Sequence, residues 1–430
     1  MQLEQTSQQS TNDPLLADLG GLNIEHKGYS PNPISMLTTL CTNNVSLLPG
    51  SLIDMEKQLG SHGFYESSDG SFSYNHATCV PIAYYQYEHS VRHQMWPCEF
   101  EVNMDRGGVV TRPDGSLAAC IADGAGGGGY FSAFVAQMIS EYCLKRFALE
   151  PMKFIGDAEA DKRTAQKLIV ESCAHVGVQS PVGQNNGSST LLFAECVPIG
   201  IRDGKARYRV QVVSLGDCAA IHINCETKKA TQLNSIKREL NEQGKPTIMS
   251  TGGLIGTHFR AFGFENIDAH LSEASEDDYI VLVTDGFTDN VREGYIEEMV
   301  QFVAFNPFFD QSYTDREKYP RDWEQGGNCK LPTMEEISCF LITYGGTLNP
   351  IFERPTAAQI TKRLANYTSL VTATLKVGQE QLYSKLLEEG KKAQALFGTN
   401  QIQEPKPIEE DVNDPKTDDY MIITMSPSCR

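Results

Sequence analysis

The sequence has no C-x-x-C pair, although it carries 12 cysteines scattered singly from Cys41 to Cys429. That absence excludes a zinc ribbon. Single cysteines spread over 430 residues do not form a disulfide scaffold either, so the thiols read as reduced and mostly buried. There is also no excess of positive charge. Lys and Arg number 36 against 55 Asp and Glu, a formal net charge of −19. Nucleic acid and anionic membrane both require a positive surface, so neither is expected as a partner. No apolar run approaches the ~18 residues that suggest a membrane span. The first Lys or Arg is Lys27, preceded by Glu4, Asp13 and Asp18. A secretory signal needs a basic start and an apolar segment, and a transit peptide needs arginines; neither is seen, so the cytoplasm is the expected location. What the chain does have is 40% hydrophobic and 21% charged residues, enough for a sizeable core.

The organisation changes along the chain. Residues 1–94 are polar with short apolar runs and read as a partly disordered N-terminal extension. From 95 to 345, short apolar runs alternate with Gly and Asp. Strands are expected at "SLAACIA" (116–122), "STLLFAECV" (189–197), "RYRVQVVSL" (207–215), "AAIHIN" (219–224), "YIVLVT" (279–284) and "ISCFLIT" (337–343). Two amphipathic helices, 132–149 and 157–177, separate the first two strands. Most strands then follow one another without helices between them, which predicts sheets packed on each other with helices outside. Residues 346–398 read as a helical extension, and 399–430 as an acidic, disordered tail. Within that tail, "DDYMIIT" (418–424) could be a docking or tyrosine-phosphorylation segment.

The stretch "CIADGAGGGGY" (120–130) raises the question of function. Gly124 to Gly129 fit G-x-G-x-x-G between a strand and a helix, the pattern of a dinucleotide loop. Asp123 would then face a pyrophosphate, and the acidic residue expected about 20 positions on falls at Glu150-Pro151, at a helix end. A second reading starts from Asp123 itself. Asp105, Asp217, Asp285 and Glu335 also sit beside expected strand ends or tight turns. Carboxylates and bare carbonyls without His or Cys suit hard divalent cations and disfavour zinc. The plainer explanation, that each caps a turn, serves one such residue better than five.

These residues resemble the metal-dependent Ser/Thr protein phosphatases of the type 2C class. In order, "NMD" (103–105), "ADGAGG" (122–127), "NNGSSTLLFAE" (185–195), "SLGDCAAIHI" (214–223), "DDYIVLVTDGFTDNV" (277–291) and "EEISCFLIT" (335–343) resemble that family's motif series. The likeness covers about residues 95–345, the stretch expected to form the phosphatase domain. "ADGAGG", with the long 306–332 segment, looks most like the branch that includes mitochondrial enzymes.

The resemblance implies an α+β fold, a four-layer α-β-β-α sandwich of two mostly antiparallel sheets. It implies hydrolysis of phosphoserine and phosphothreonine in protein substrates by metal-activated water at a binuclear Mg2+ or Mn2+ centre. Carried over by position, Asp123 would bridge both ions, the Gly124 carbonyl would bind one, and Asp285 and Glu335 would complete the other. Asp105 would act through water, and Asp217 would mark a third ion. Asp123, Asp285 and Asp105 are thus the expected catalytic set. Such ions would also neutralise a dianionic substrate that a chain of net charge −19 repels. Three positions depart from the pattern: Glu335-Glu336-Ile337-Ser338 stands for D-N-I-T, Ala125 for a frequent His, and Phe100 for a frequent phosphate-binding Arg, with Arg92 and Arg106 nearby. The alternative is a catalytically degenerate relative that serves as a protein-binding module.

Overall fold

A computed structural model describes residues 63–78, 103–125, 130–179, 187–238, 251–257, 260–313, 324–325, 328–348, 354–372 and 418–427. The strands, in chain order, begin with β1 (Gly63–Glu66), β2 (Phe72–Thr78), β3 (Arg106–Thr111), β4 (Leu117–Ala122) and the short β5 (Gly124–Ala125). They continue with β6 (Ser188–Ser189), β7 (Leu191–Arg202), β8 (Lys205–Leu215), β9 (Ala219–Asn224) and β10 (Lys229–Gln232). After β11 (Leu254–Gly256) and β12 (Arg260–Phe262) come β13 (Asp268–Ser275), β14 (Tyr279–Val283), β15 (Glu324–Gln325), β16 (Asn328–Cys329) and β17 (Asp419–Met425).

Two sheets carry the fold. One has the order β1-β2-β17-β14-β9-β10 and the other β13-β8-β7-β4-β3; a smaller sheet, β12-β11-β6-β5, extends from the second. All these pairings are antiparallel.

The period-two alternation of a strand explains the layering. On β4, Ala119 and Ile121 point between the sheets, where they join Leu192 and Val212 of one sheet and Ile280, Leu282, Met421 and Ile423 of the other. Ala118 and Cys120 point the opposite way, onto Val135, Ile139 and Cys143 of the helix Tyr130–Leu149 and the neighbouring helix Ala158–Gln179. On β14, Tyr279, Val281 and Val283 face a third apolar cluster with Met299, Val303, Phe340, Leu364 and Tyr367. These come from the helices Ile296–Ala304, Met334–Thr343 and 357–372. Three cores between four layers make the expected α-β-β-α sandwich. Both faces of the central strands are buried, which is why β4 and β14 read as continuous apolar runs.

Several boundaries differ from expectation. "ISCFLIT" is part of a helix, Met334–Thr343. Thr333 Oγ1 accepts from the Glu336 N–H at 3.2 Å while Glu336 Oε2 accepts from the Thr333 N–H at 2.6 Å, a capping box that starts a helix. Ile337, Phe340 and Leu341 then fall at i, i+3, i+4 and bury one face. The strand expected there is supplied by β17, from the segment expected to be a disordered tail. β17 is buried along its whole length between β2 and β14. The sheet also begins at Gly63, inside the expected N-terminal extension, and the helix 357–372 is core. Residues 1–62 and 373–417 lie outside the described residues, as do Gly126–Gly129, Arg92 and Phe100. Among the described residues no helix is long and apolar enough to cross a membrane.

Candidate metal centre

Strand ends of both large sheets bring acidic side chains to one place. Asp123 follows β4 directly, and Asp285 follows β14 at the start of a single helical turn, Asp285–Thr288. Asp217 lies in the turn between β8 and β9. One carboxylate oxygen from each of these three lies within 4.8 Å of the other two.

The main chain around Asp123 is held tightly. Its N–H donates to Thr190 Oγ1 at 3.1 Å, and its carbonyl accepts from the Thr190 N–H and the Ser189 hydroxyl, both at 2.8 Å. The residue after Asp123 and after Asp285 must be glycine. A Cβ on Gly124 would lie 2.8 Å from the Met104 carbonyl oxygen and 2.8 Å from its Cβ, and one on Gly286 would overlap the Asp419 carbonyl. The two Asp-Gly steps therefore permit the close backbone approach that gathers the acids.

Asp105, just before β3, is also buried here. Its N–H donates to Asn103 Oδ1 at 2.9 Å, and its Oδ2 accepts from the Thr284 hydroxyl at 2.8 Å. Thr284 Oγ1 in turn accepts from the Met421 N–H at 2.8 Å, tying the site to β17. Asp419, the first residue of β17, accepts from the Met104 N–H at 2.8 Å. Burial, then the charges of Asp419 and Asp285, hold the Asp105 carboxyl well above the usual range. The Asp123 carboxyl is raised by burial, by the Asp285 and Asp105 charges, and by a hydrogen bond shared with Asp285.

Two arginines sit against this charge. Arg106 Nη1 donates to the Asp105 carbonyl at 2.6 Å; burial lowers its pKa to about 10, against the pull of Asp419 and Asp105. Arg238 Nη2 lies 2.9 Å from Asp217 Oδ2 and 2.5 Å from Asp289 Oδ1. Among the described residues, carboxylates there still outnumber cations. The Asp123–Asp217–Asp285 group offers oxygen alone, and each desolvated acid makes its neighbours harder to ionise. Divalent cations fit that donor set, because they restore the ionised forms that crowding and burial oppose.

Of the residues expected at the site, Asp105, Asp123, Gly124, Asp217 and Asp285 come together. Glu335 does not. It is exposed on the first turn of the helix Met334–Thr343 and is not among the gathered carboxylates. A helix laid on the outer face of the sheet cannot end at the site as a strand would. Asp419 lies beside Asp105 instead, with Asp418 close enough for its charge to act on Asp105 as well. The signal was two aspartates before an apolar run, the same grammar as "VTDG" in another order. Asp289 lies within the quoted "DGFTDN", whereas nothing local singles out Arg238.

No protein-family profile and no curated protein matches the chain. Among solved structures it is similar to the X-ray structure of the photosystem II phosphatase PBCP, with a TM-score of 0.38, 14% identity, 83% of this chain and 98% of that one covered. It is also similar to the serine/threonine phosphatase Stp1 from Staphylococcus aureus, with a TM-score of 0.37, 12% identity and coverage of 86% and 95%. A bacterial serine phosphatase gives 0.35, 13%, 76% and 92%.

Proposed function

We propose that this chain is a metal-dependent phosphoprotein phosphatase of the type 2C kind, acting on phosphoserine and phosphothreonine. One observation carries the proposal: Asp123, Asp217 and Asp285 converge within 4.8 Å through oxygen alone, with Asp105 and Asp419 beside them. Asp123, Asp285, Asp105 and the Gly124 carbonyl would hold two Mg2+ or Mn2+ ions, and Asp419 replaces Glu335 in that set. When bound, such a pair supplies activation of water and neutralisation of a phosphate dianion. The chain's own part is to hold its carboxylates fixed at one place. Thr284 and Asn103 orient Asp105, and Ser189 and Thr190 fix the Asp123 backbone. The Asp217–Arg238–Asp289 contact favours a second reading, a degenerate binding module in which a protein cation has displaced catalytic metal.

Hydrolysis of an aryl phosphate and of a phosphothreonine peptide, after chelator treatment and with Mn2+ restored, separates the two. Activity that depends on Mn2+ and falls at least a hundredfold in kcat in Asp123→Asn is expected, a loss of about 2.7 kcal/mol or more of transition-state stabilisation. Full activity in EDTA, or a folded Asp123→Asn protein with wild-type turnover, overturns the metal mechanism. No hydrolysis under any metal condition leaves the binding module.

A further inference from the structure

Arg238 is the residue that nothing in the motif series accounts for. Its side chain is 9% exposed, and its Nη2 bridges Asp217 and Asp289, themselves 1% and 4% exposed. Asp217 is simultaneously one of the three carboxylates gathered with Asp123 and Asp285. The guanidinium thus sits against the acidic group, bridging a carboxylate from the β8–β9 turn and one from the turn after Asp285. Two such acids, buried side by side, need a counter-charge. A guanidinium keeps its charge at any working pH and cannot be removed by a chelator.

We propose that Arg238 takes the place of a divalent ion on the Asp217–Asp289 flank, so the centre binds one ion fewer than its carboxylates permit. Ions then collect on the opposite flank, around Asp123, Asp285, Asp105 and Asp419. This rests on the metal-centre reading above and refines it: the third ion that the resemblance attaches to Asp217 is replaced by a side chain. Removing the arginine should open that position, because the guanidinium that bridges Asp217 and Asp289 is then gone.

The test counts bound Mn2+ per chain, by native mass spectrometry and by calorimetric titration, for wild type, Arg238→Ala, Arg238→Lys and the double variant Arg238→Ala/Asp289→Asn. Circular dichroism confirms folding, and Arg238→Gln, which keeps the stem and drops the charge, serves if Arg238→Ala does not fold. Arg238→Ala should bind one more ion than wild type. Arg238→Lys, which keeps the cation, should match wild type, and the double variant should lose the added ion. Equal counts in wild type and a folded charge-removing variant overturn the proposal. Zero ions in wild type with one in Arg238→Ala sinks the phosphatase reading while the role of Arg238 stands. Zero in both removes each.

Discussion

Glu195 illustrates what a single buried acid does away from the metal centre. It lies on β7, 1% exposed, and its Oε2 accepts from the Met152 N–H at 2.8 Å and from Gln211 Nε2 at 3.0 Å. Gln211 also accepts from the Phe154 N–H and donates to the Met152 carbonyl, so the pair pins the segment leading into the helix Ala158–Gln179. Burial pushes the Glu195 carboxyl up to about 8, against the Met152 N–H, Arg146 and Arg209, and Gln211. Its folded value lies above the unfolded one, so its contribution to stability is complete below about 4.5 and is lost as pH rises through about 8. Glu141, raised to about 7 chiefly by burial, acts with the same sign. The urea midpoint should therefore fall between pH 5 and pH 9. Glu195→Gln keeps an acceptor oxygen without the charge and should flatten that slope, leaving the Glu141 share. An unchanged slope would show that Glu195 titrates as an ordinary carboxyl. At this scale the sequence was most readable where chemistry and backbone demand coincide. Asp123-Gly124 and Asp285-Gly286 carry both the ligand and the glycine its packing requires. Arg238 and Glu195 carry no such mark, because their roles come from partners far along the chain.

Among the elements, β17 has the most to lose. Met421, Ile422, Ile423 and Met425 are all buried, and each contributes about 1.5–3 kcal/mol relative to exposure. β17 also supplies Asp419 and the Met421 N–H to the candidate site. A chain ending at Asn400 should fail to fold cooperatively, lose its near-ultraviolet dichroism and have no phosphatase activity. Adding a peptide of residues 413–430 should restore part of both by filling the gap between β2 and β14. A truncated chain that melts like wild type would show that the sheet closes without β17. The helix at 334–343 and this strand were exchanged in the sequence reading for a physical reason. "ISCFLIT" and "DYMIITM" are both short apolar runs, and periodicity cannot separate a buried strand from a buried helical stretch of that length. Thr333 and Glu336 decide the first. Only pairing with β2, across more than 300 residues, decides the second.

At the scale of the whole molecule, the acids come from both sheets: Asp123 and Asp105 border one, Asp285 and Asp419 the other, and Asp217 lies in the turn from β8 to β9 that joins them. Ions held among them would fasten the layers together at that end. Calorimetry should show a higher melting temperature with Mn2+ than after chelation, by about 2.7 kcal/mol of added stability at a hundred times Kd. Asp123→Asn should show little of that gain, and a wild-type transition indifferent to Mn2+ would argue against ions spanning the sheets. The order of layers was legible from strands that follow one another without helices. Their strand order was not, because β17 enters between partners set far apart.

The place of β17 also imposes a schedule on synthesis. A ribosome that has finished Val283 must add about 135 more residues before Asp419 emerges, roughly 7–27 s at ~5–20 residues per second. Throughout that interval β2 and β14 each present an unpaired edge to solvent, the kind of surface that chaperones cover and that neighbouring chains can join. The candidate site cannot be completed before then either, since it lacks Asp419. A prematurely stopped product would therefore be released as a sheet with a missing stave, liable to aggregation and degradation.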